Sequence, residues 1–212
     1  SSTVTSAAEL PSPTIRIRSR ATLVSTLTSG ATKVGAVRVT DEVIATMEQF
    51  YTDVANDTLP DYAFIEPRML FNHNDMHPPG PLVIDGVKIP DPSDVRCGDL
   101  LLHEIYSAVR ASAVKSTNPS NTLLLVTFDE HGGCYDHVAP PGAPSPEVLQ
   151  QAGEMGFFFD RLGVRVPTIA ISAWTGANTI VKRHVHHAAV VRTLCEKFDL
   201  RYLTERDRTA ID

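Results

Sequence analysis

The chain has 212 residues, 42% hydrophobic and 21% charged, enough for one sizeable core and most simply one domain. Its formal net charge of −6 offers no basic footprint and argues against nucleic acid as a partner. No apolar run approaches the roughly 18 residues that span a bilayer, and the separated cysteines Cys97, Cys134 and Cys195 form neither a CxxC nor a disulfide framework.

Residues 1–40 are rich in Ser, Thr and small residues, with basic spots at Arg16, Arg18 and Arg20. They read as loops with at most a short strand near residues 21–25. The stretch DEVIATMEQFYTDVA, from Asp41, predicts a helix capped by Thr40 or Asp41, with Val43, Ile44, Met47, Phe50, Tyr51 and Val54 on one face and Asn56-Asp57 closing it. YAFIEP predicts a short strand ending at Glu66-Pro67. Residues 72–98 are broken by Pro and Gly and read as one long irregular loop, of a length that is often functional.

DLLLHEIYSAVRASAVK then predicts a helix with Asp99 near its start and His103 as a partly buried structural histidine. After the polar linker STNPSN comes the strand TLLLVTF, and a Pro- and Ala-rich loop runs to about residue 156. VRVPTIAIS predicts a strand interrupted by Pro167, and Trp174 just beyond it reads as a packed side chain. HHAAVVRTLCEKF, from His186, predicts a helix with Val190, Val191, Leu194 and Phe198 inward. This alternation is the grammar of an α/β fold. TLLLV is apolar without alternation, which predicts a strand covered on both faces, as in a parallel sheet.

Ligands of open α/β sheets bind beyond the carboxyl ends of strands, and TFDEHGGCYDHVAPP stands at one. Asp129 and Glu130 are adjacent carboxylates whose mutual repulsion a divalent cation would relieve. Gly132-Gly133 permits a tight turn. His131 and His137 can ligate metal, move protons or donate to phosphate, and Asp136 could orient one of them. The alternative is a polar turn that merely ends a strand. NHNDMHPPGP offers Asn72, His73, Asn74, Asp75 and His77 in a loop stiffened by proline, and a series of Asx-turns explains it equally well. In RHVHHAAVVRTL, His187 falls at a helix start, where anions are favoured; a solvated helix entry with incidental histidines is the simpler reading.

Taken in order, LPDYAFIEPR, NDMHPP, TLLLVTFDEHGGCYDHVAPP, FDRLGVRVPTIAISAW and HHAAVVRTL resemble the phosphoesterase family of phosphatidylcholine-type and non-specific phospholipases C and related acid phosphatases. The resemblance runs from about residue 46 to about residue 206. It implies an alkaline-phosphatase-like α/β fold, a sheet with helices on both faces, and hydrolysis of phosphate esters. It places Asp129 and Glu130 at a divalent metal ion, Asn74, Asp75 and His131 at substrate, and His77, His137 and His187 in catalysis. It also implies a phospholipid or phosphate ester substrate, peripheral membrane contact, and a secreted or membrane-associated setting.

The family pattern usually has serines where this chain has Ala188 and Ala189, an aromatic residue at Cys134 and a proline at Ala173. Its further metal ligands and its Thr or Ser nucleophile precede the matched part. The chain is thus expected to be the C-terminal part of a catalytic domain, at residues 41–212, behind a poorly matching segment, with an incomplete sheet. Phospholipase C-like cleavage is the leading expectation; an acid phosphatase acting on small monoesters, or a non-catalytic remnant without its nucleophile, are the rivals.

Overall fold

The computed structural model describes residues 14–18, 44–69, 73–78, 82–89, 95–146 and 152–211. The expected strand near residues 21–25 lies outside them, as do Asn72 and the expected helix cap at Thr40 or Asp41. The chain divides into two compact units, Ser1–Leu124 and Leu125–Asp212.

In the first unit a three-stranded antiparallel sheet has the order β2-β1-β3, with β1 at Thr14–Arg18, β2 at Ile44–Thr46 and β3 at Tyr62–Ile65. β1 alternates isoleucine with arginine, a period-two pattern inside a segment read as loop. β3 stands where YAFIEP predicted it. Helix α1 spans Met47–Asn56, six residues later than its expected start at Asp41, because Ile44, Ala45 and Thr46 pair with β1. Its N-cap is Thr46, whose hydroxyl accepts from Gln49 N at 3.3 Å. Asp57 ends α1 in the left-handed conformation, φ 63°, with its N–H donating to the Asp53 carbonyl.

Helix α2 spans Val95–Ala111, starting earlier and stopping sooner than expected. Met47, Phe50 and Val54 of α1 pack with Leu101 and Ile105 of α2 to form the core, and Leu59, Ile65 and Leu124 close over it. Each such side chain contributes about 1.5–3 kcal/mol on burial. Tyr51 donates to Glu104 at 3.2 Å across the two helices, and burial first, then Glu104, pushes the phenol up to about 12. His103, expected to be partly buried, is exposed on α2.

Part of the expected 72–98 loop is a β-hairpin: β4 at Leu82–Ile84 pairs antiparallel with β5 at Val87–Ile89. Asp85 and Gly86 turn it with φ 50° and 78°, the two positive values a two-residue type I′ turn requires. The linker after α2 is a knot of Asn118 and Asn121 amides on the Val114 and Lys115 carbonyls. The Asp57 carboxylate anchors it by accepting from Ser116 N at 2.6 Å and from the Ser116 hydroxyl.

In the second unit β6, Leu124–Thr127, which begins on the last residue of the first unit, pairs with β7, Thr168–Ile171. The hydroxyls of Thr127 and Thr168 meet at 2.9 Å. The expectation of a strand covered on both faces fails: β6 alternates half-buried Leu124 and Val126 with exposed Leu125 and Thr127. β7 starts only after Pro167, which has no N–H to give a ladder. The strand pairs β1–β2, β1–β3 and β4–β5 are antiparallel ladders.

Helix α3 spans Ala188–Phe198 and buries Ala189 and Cys195; Val190, Val191 and Leu194 are half-buried, and Phe198, expected inward, is exposed. A short helix α4, Glu205–Arg208, opens with a capping box between Thr204 and the buried Asp207. Arg192 ties α3 to α4 by donating to the Arg208 and Ala210 carbonyls at 3.0 and 2.7 Å. The architecture is mixed α/β, with small sheets and amphipathic helices.

Candidate active site

The chain leaves β6 through Phe128 and turns at once. Asp129 Oδ1 accepts from Glu130 N at 2.9 Å, and Glu130 Oε2 accepts from Gly132 N at 2.7 Å. The same Glu130 oxygen lies 3.2 Å from His131 Nδ1. Gly132 and Gly133 both have positive φ, 60° and 75°, and Cys134 N closes the turn on the His131 carbonyl at 3.0 Å. The tight glycine turn expected from sequence is therefore present. Asp129, Glu130 and His131 are all exposed, so the turn presents two carboxylates and an imidazole to solvent.

His187 reaches the same strand end from the other side. It occupies the N-cap position of α3, and its Nε2 stands 2.6 Å from the Phe128 carbonyl oxygen. A carbonyl can only accept, so Nε2 carries the proton and Nδ1 is the nitrogen left for other chemistry. One hydrogen bond thus fixes both the ring of His187 and the backbone just ahead of Asp129. His186 beside it is half-buried, and burial first, then Arg206 and His187, pulls its pKa down. His184, the other member of the His-rich stretch, is exposed.

Asp136 does not orient a histidine. Its carboxylate takes a fork from Arg165, Nε to Oδ2 at 2.7 Å and Nη2 to Oδ1 at 2.8 Å, and accepts from Val138 N at 3.1 Å. The Arg165 guanidinium holds the Asp136 carboxyl far below the usual carboxylate range. His137 Nδ1 is 3.6 Å from Asp136, beyond a hydrogen bond, and its ring is largely in solvent. Arg165 is the partner that sequence reasoning missed; it lies 29 residues away on the approach to β7, a separation no local pattern reveals. Trp174, read as a packed side chain, is 83% exposed.

In the first unit the second cluster is a built loop. Asn74 is buried and clamps Arg68: its Oδ1 accepts from Arg68 N at 2.7 Å, and its own N donates to the Arg68 carbonyl at 3.0 Å. Asp75 Oδ1 lies 2.6 Å from Nδ1 of the buried His73 and accepts from His77 N at 3.1 Å, the Asx-turn weighed above. The exposed His77 donates from Nδ1 to the Pro78 carbonyl at 2.8 Å, so Nδ1 carries the proton. The loop lies against α2 at Gly98, where an added Cβ would come 2.5 Å from Met76 Cγ and 2.9 Å from the Asn74 carbonyl oxygen.

Asp129 and Glu130 are hard oxygen donors of the kind divalent cations take. Each already gives one oxygen to a backbone N–H, and among the described residues no three His, Cys, Asp or Glu side chains come together as a metal-binding group. The described donors therefore do not by themselves form a metal centre.

A mixed α/β protein with a carboxylate–imidazole turn at the carboxyl end of a strand is the class that fold and site define. The chain belongs to the Phosphoesterase family, whose model matches residues 15–201. It is similar to non-specific phospholipase C6 of Arabidopsis thaliana, 36% identical over 178 residues that make up 76% of this chain and 31% of that protein. Non-specific phospholipase C3 of the same plant is 37% identical over 167 residues, 72% of this chain and 29% of that protein. Non-hemolytic phospholipase C of Burkholderia pseudomallei (strain K96243) is 33% identical over 103 residues, 41% of this chain and 15% of that protein. The chain spans about a third of the length of the plant relatives it matches.

Proposed function

We propose that this chain is part of a phospholipase C-type hydrolase of phosphoric ester bonds, releasing a diacylglycerol and a phospho-headgroup, on an alkaline-phosphatase-like scaffold. The observation that carries the reading is the turn after β6, where Asp129, Glu130 and His131 share one glycine-closed loop and His187 is bonded to the backbone immediately before it. The names of the similar proteins support the choice of phospholipid over other phosphate esters.

Displacement at phosphorus needs donors for the phosphoryl oxygens and a proton for the leaving alkoxide. With Nε2–H committed to Phe128, His187 binds and releases its second proton at Nδ1, and the imidazolium form donates from there to an anionic oxygen. His77 is assigned to catalysis by the family resemblance. His137, open to solvent, hands a proton to the leaving alcohol and recovers it from water. His131 binds substrate, and Asn74 and Asp75 contribute to substrate binding by holding the loop that carries His77. A divalent cation, when bound, would draw charge from the phosphoryl oxygens; it needs donors besides Asp129 and Glu130, and no step here runs through it. A phospholipid substrate brings the protein to a membrane surface.

The test is release of phosphocholine from phosphatidylcholine with divalent metal added, in parallel with metal analysis of the purified protein. Asp129→Ala in a full-length relative abolishes turnover on this reading. Near-normal activity of that variant on a chromogenic phosphate diester would sink the site assignment. Release of phosphate from small monoesters without diester cleavage would favour an acid phosphatase, and a folded protein active on neither would favour the non-catalytic reading.

A further inference from the structure

The connection between β7 and α3 combines positive charge with exposed apolar side chains. Residues 161–195 contain five Lys or Arg and no Asp or Glu, in a protein whose net charge is −6. Two of those cations are already engaged, Arg165 with Asp136 and Arg192 with α4 and Glu196. The exposed Lys182 and Arg183 stand inside the loop itself, next to His184. Around them the loop exposes apolar side chains: Trp174 is 83% exposed, Ile180 79%, Val181 68% and Val185 51%. A tight turn presents Trp174: Thr175 N donates to the Ser172 carbonyl at 3.2 Å, and Trp174 N to the Ser172 hydroxyl at 3.3 Å. The same loop ends at His187.

We propose that residues 174–185 are an interfacial anchor for an anionic lipid surface, with Trp174, Ile180, Val181 and Val185 entering the headgroup region and Lys182 and Arg183 meeting lipid phosphates. The chemistry selects this occupant. An amphipathic indole favours the boundary between water and hydrocarbon. Aliphatic side chains flanking cations match a surface that is negative outside and apolar within. A second copy of the chain would bring the same cations face to face and repel. The inference rests on the membrane contact in the proposed function only for its biological sense; binding is scored without turnover.

Trp174 is the sole tryptophan of the chain, so its emission reports on this loop alone. The 212-residue protein is titrated with vesicles of phosphatidylcholine and with vesicles containing phosphatidylserine, and binding is confirmed by co-sedimentation. The expected result is a blue shift with the anionic vesicles only. Lys182→Gln/Arg183→Gln is expected to weaken partitioning by about 30-fold, following from roughly fivefold for each cation at an anionic surface. Val181→Asp abolishes the shift, and far-ultraviolet circular dichroism shows that each variant is folded. Absence of a shift with anionic vesicles, an equal shift with both vesicle types, or an unchanged shift in the double variant overturns the proposal. So does emission that shifts with protein concentration before any lipid is added, since the loop would then be covered by a second copy. Hydrolysis failing while binding succeeds counts against the proposed function and leaves the anchor standing.

Discussion

Gly98 sets up a direct contest between helix propensity and packing. Replacing it with alanine in the body of α2 gains about 1 kcal/mol of intrinsic helix stability. The new Cβ, however, would sit 2.5 Å from Met76 Cγ, 2.8 Å from Met76 Cε and 2.9 Å from the Asn74 carbonyl oxygen. Carbon atoms rest about 3.5–4.0 Å apart, so the loop must retreat by about 1 Å. It is poorly placed to do so: Met76 is already in the left-handed region at φ 63°, and Asn74 is clamped to Arg68 on both sides. Overpacking of this kind costs about 1–3 kcal/mol. The net expectation is a loss of about 1 kcal/mol, which lowers the melting midpoint by roughly 2–4 °C in a chain of this size. Hydrogen exchange localises it: the His77 amide, bonded to Asp75 at 3.1 Å, loses protection before the core of α2 does. Adding Met76→Ala removes two of the three close contacts and recovers part of the loss. If Gly98→Ala instead gains about 1 kcal/mol, and His77 exchange is unchanged, the contact between loop and helix is not as described.

His187→Ala removes the bond to Phe128 and is expected to lose about 1 kcal/mol of stability, read by urea unfolding; His187→Gln, whose amide can still donate to that carbonyl, recovers stability but not activity in a full-length relative. The Asp136–Arg165 fork makes the protein acid-sensitive. A depressed carboxyl stabilises fully above its ordinary value of 3.8 and loses that contribution as pH falls toward its lowered value in the folded state. Unfolding midpoints below about pH 4 should therefore fall less steeply in Asp136→Asn than in the parent, whereas at neutral pH the variant is the less stable of the two.

Elements with a strong period were legible in the sequence. Met47, Phe50 and Val54 repeat at helical spacing and form the α1 core stripe, and YAFI and TIAI are strands. The failures have physical causes. The start of α1 is not fixed by sequence, because Asp41 and Thr46 can both cap a helix and only pairing with β1 decides between them. The hairpin at Asp85-Gly86 was visible as a DG pair between LVI and VKI, but the surrounding prolines masked it. Helix α4 is too short for any period, and its signal was the T-x-x-D box. A run of leucine such as TLLLV hides the alternation of half-buried and exposed positions that β6 has.

The site was legible as a set of residues and poorly legible as a set of bonds. Sequence picked out Asp129, Glu130, His131 and His187, but not that the carboxylates close their own turn or that His187 grips Phe128. Side chains choose partners by geometry across tens of residues, which is why Asp136 went to Arg165 rather than His137.

The first unit has one property that follows from where its ties fall. Tyr51 meets Glu104, the Ser112 hydroxyl donates to the Val54 carbonyl, and Asp57 holds Ser116, at separations of 53, 58 and 59 residues. All three clamp the same span, and the exposed Asp85-Gly86 turn lies inside it. A protease that nicks this turn would cut the chain without parting the pieces, because α1 and α2 stay joined through their common core. Under native conditions the cleaved unit would migrate as one species, and only denaturant would reveal two fragments.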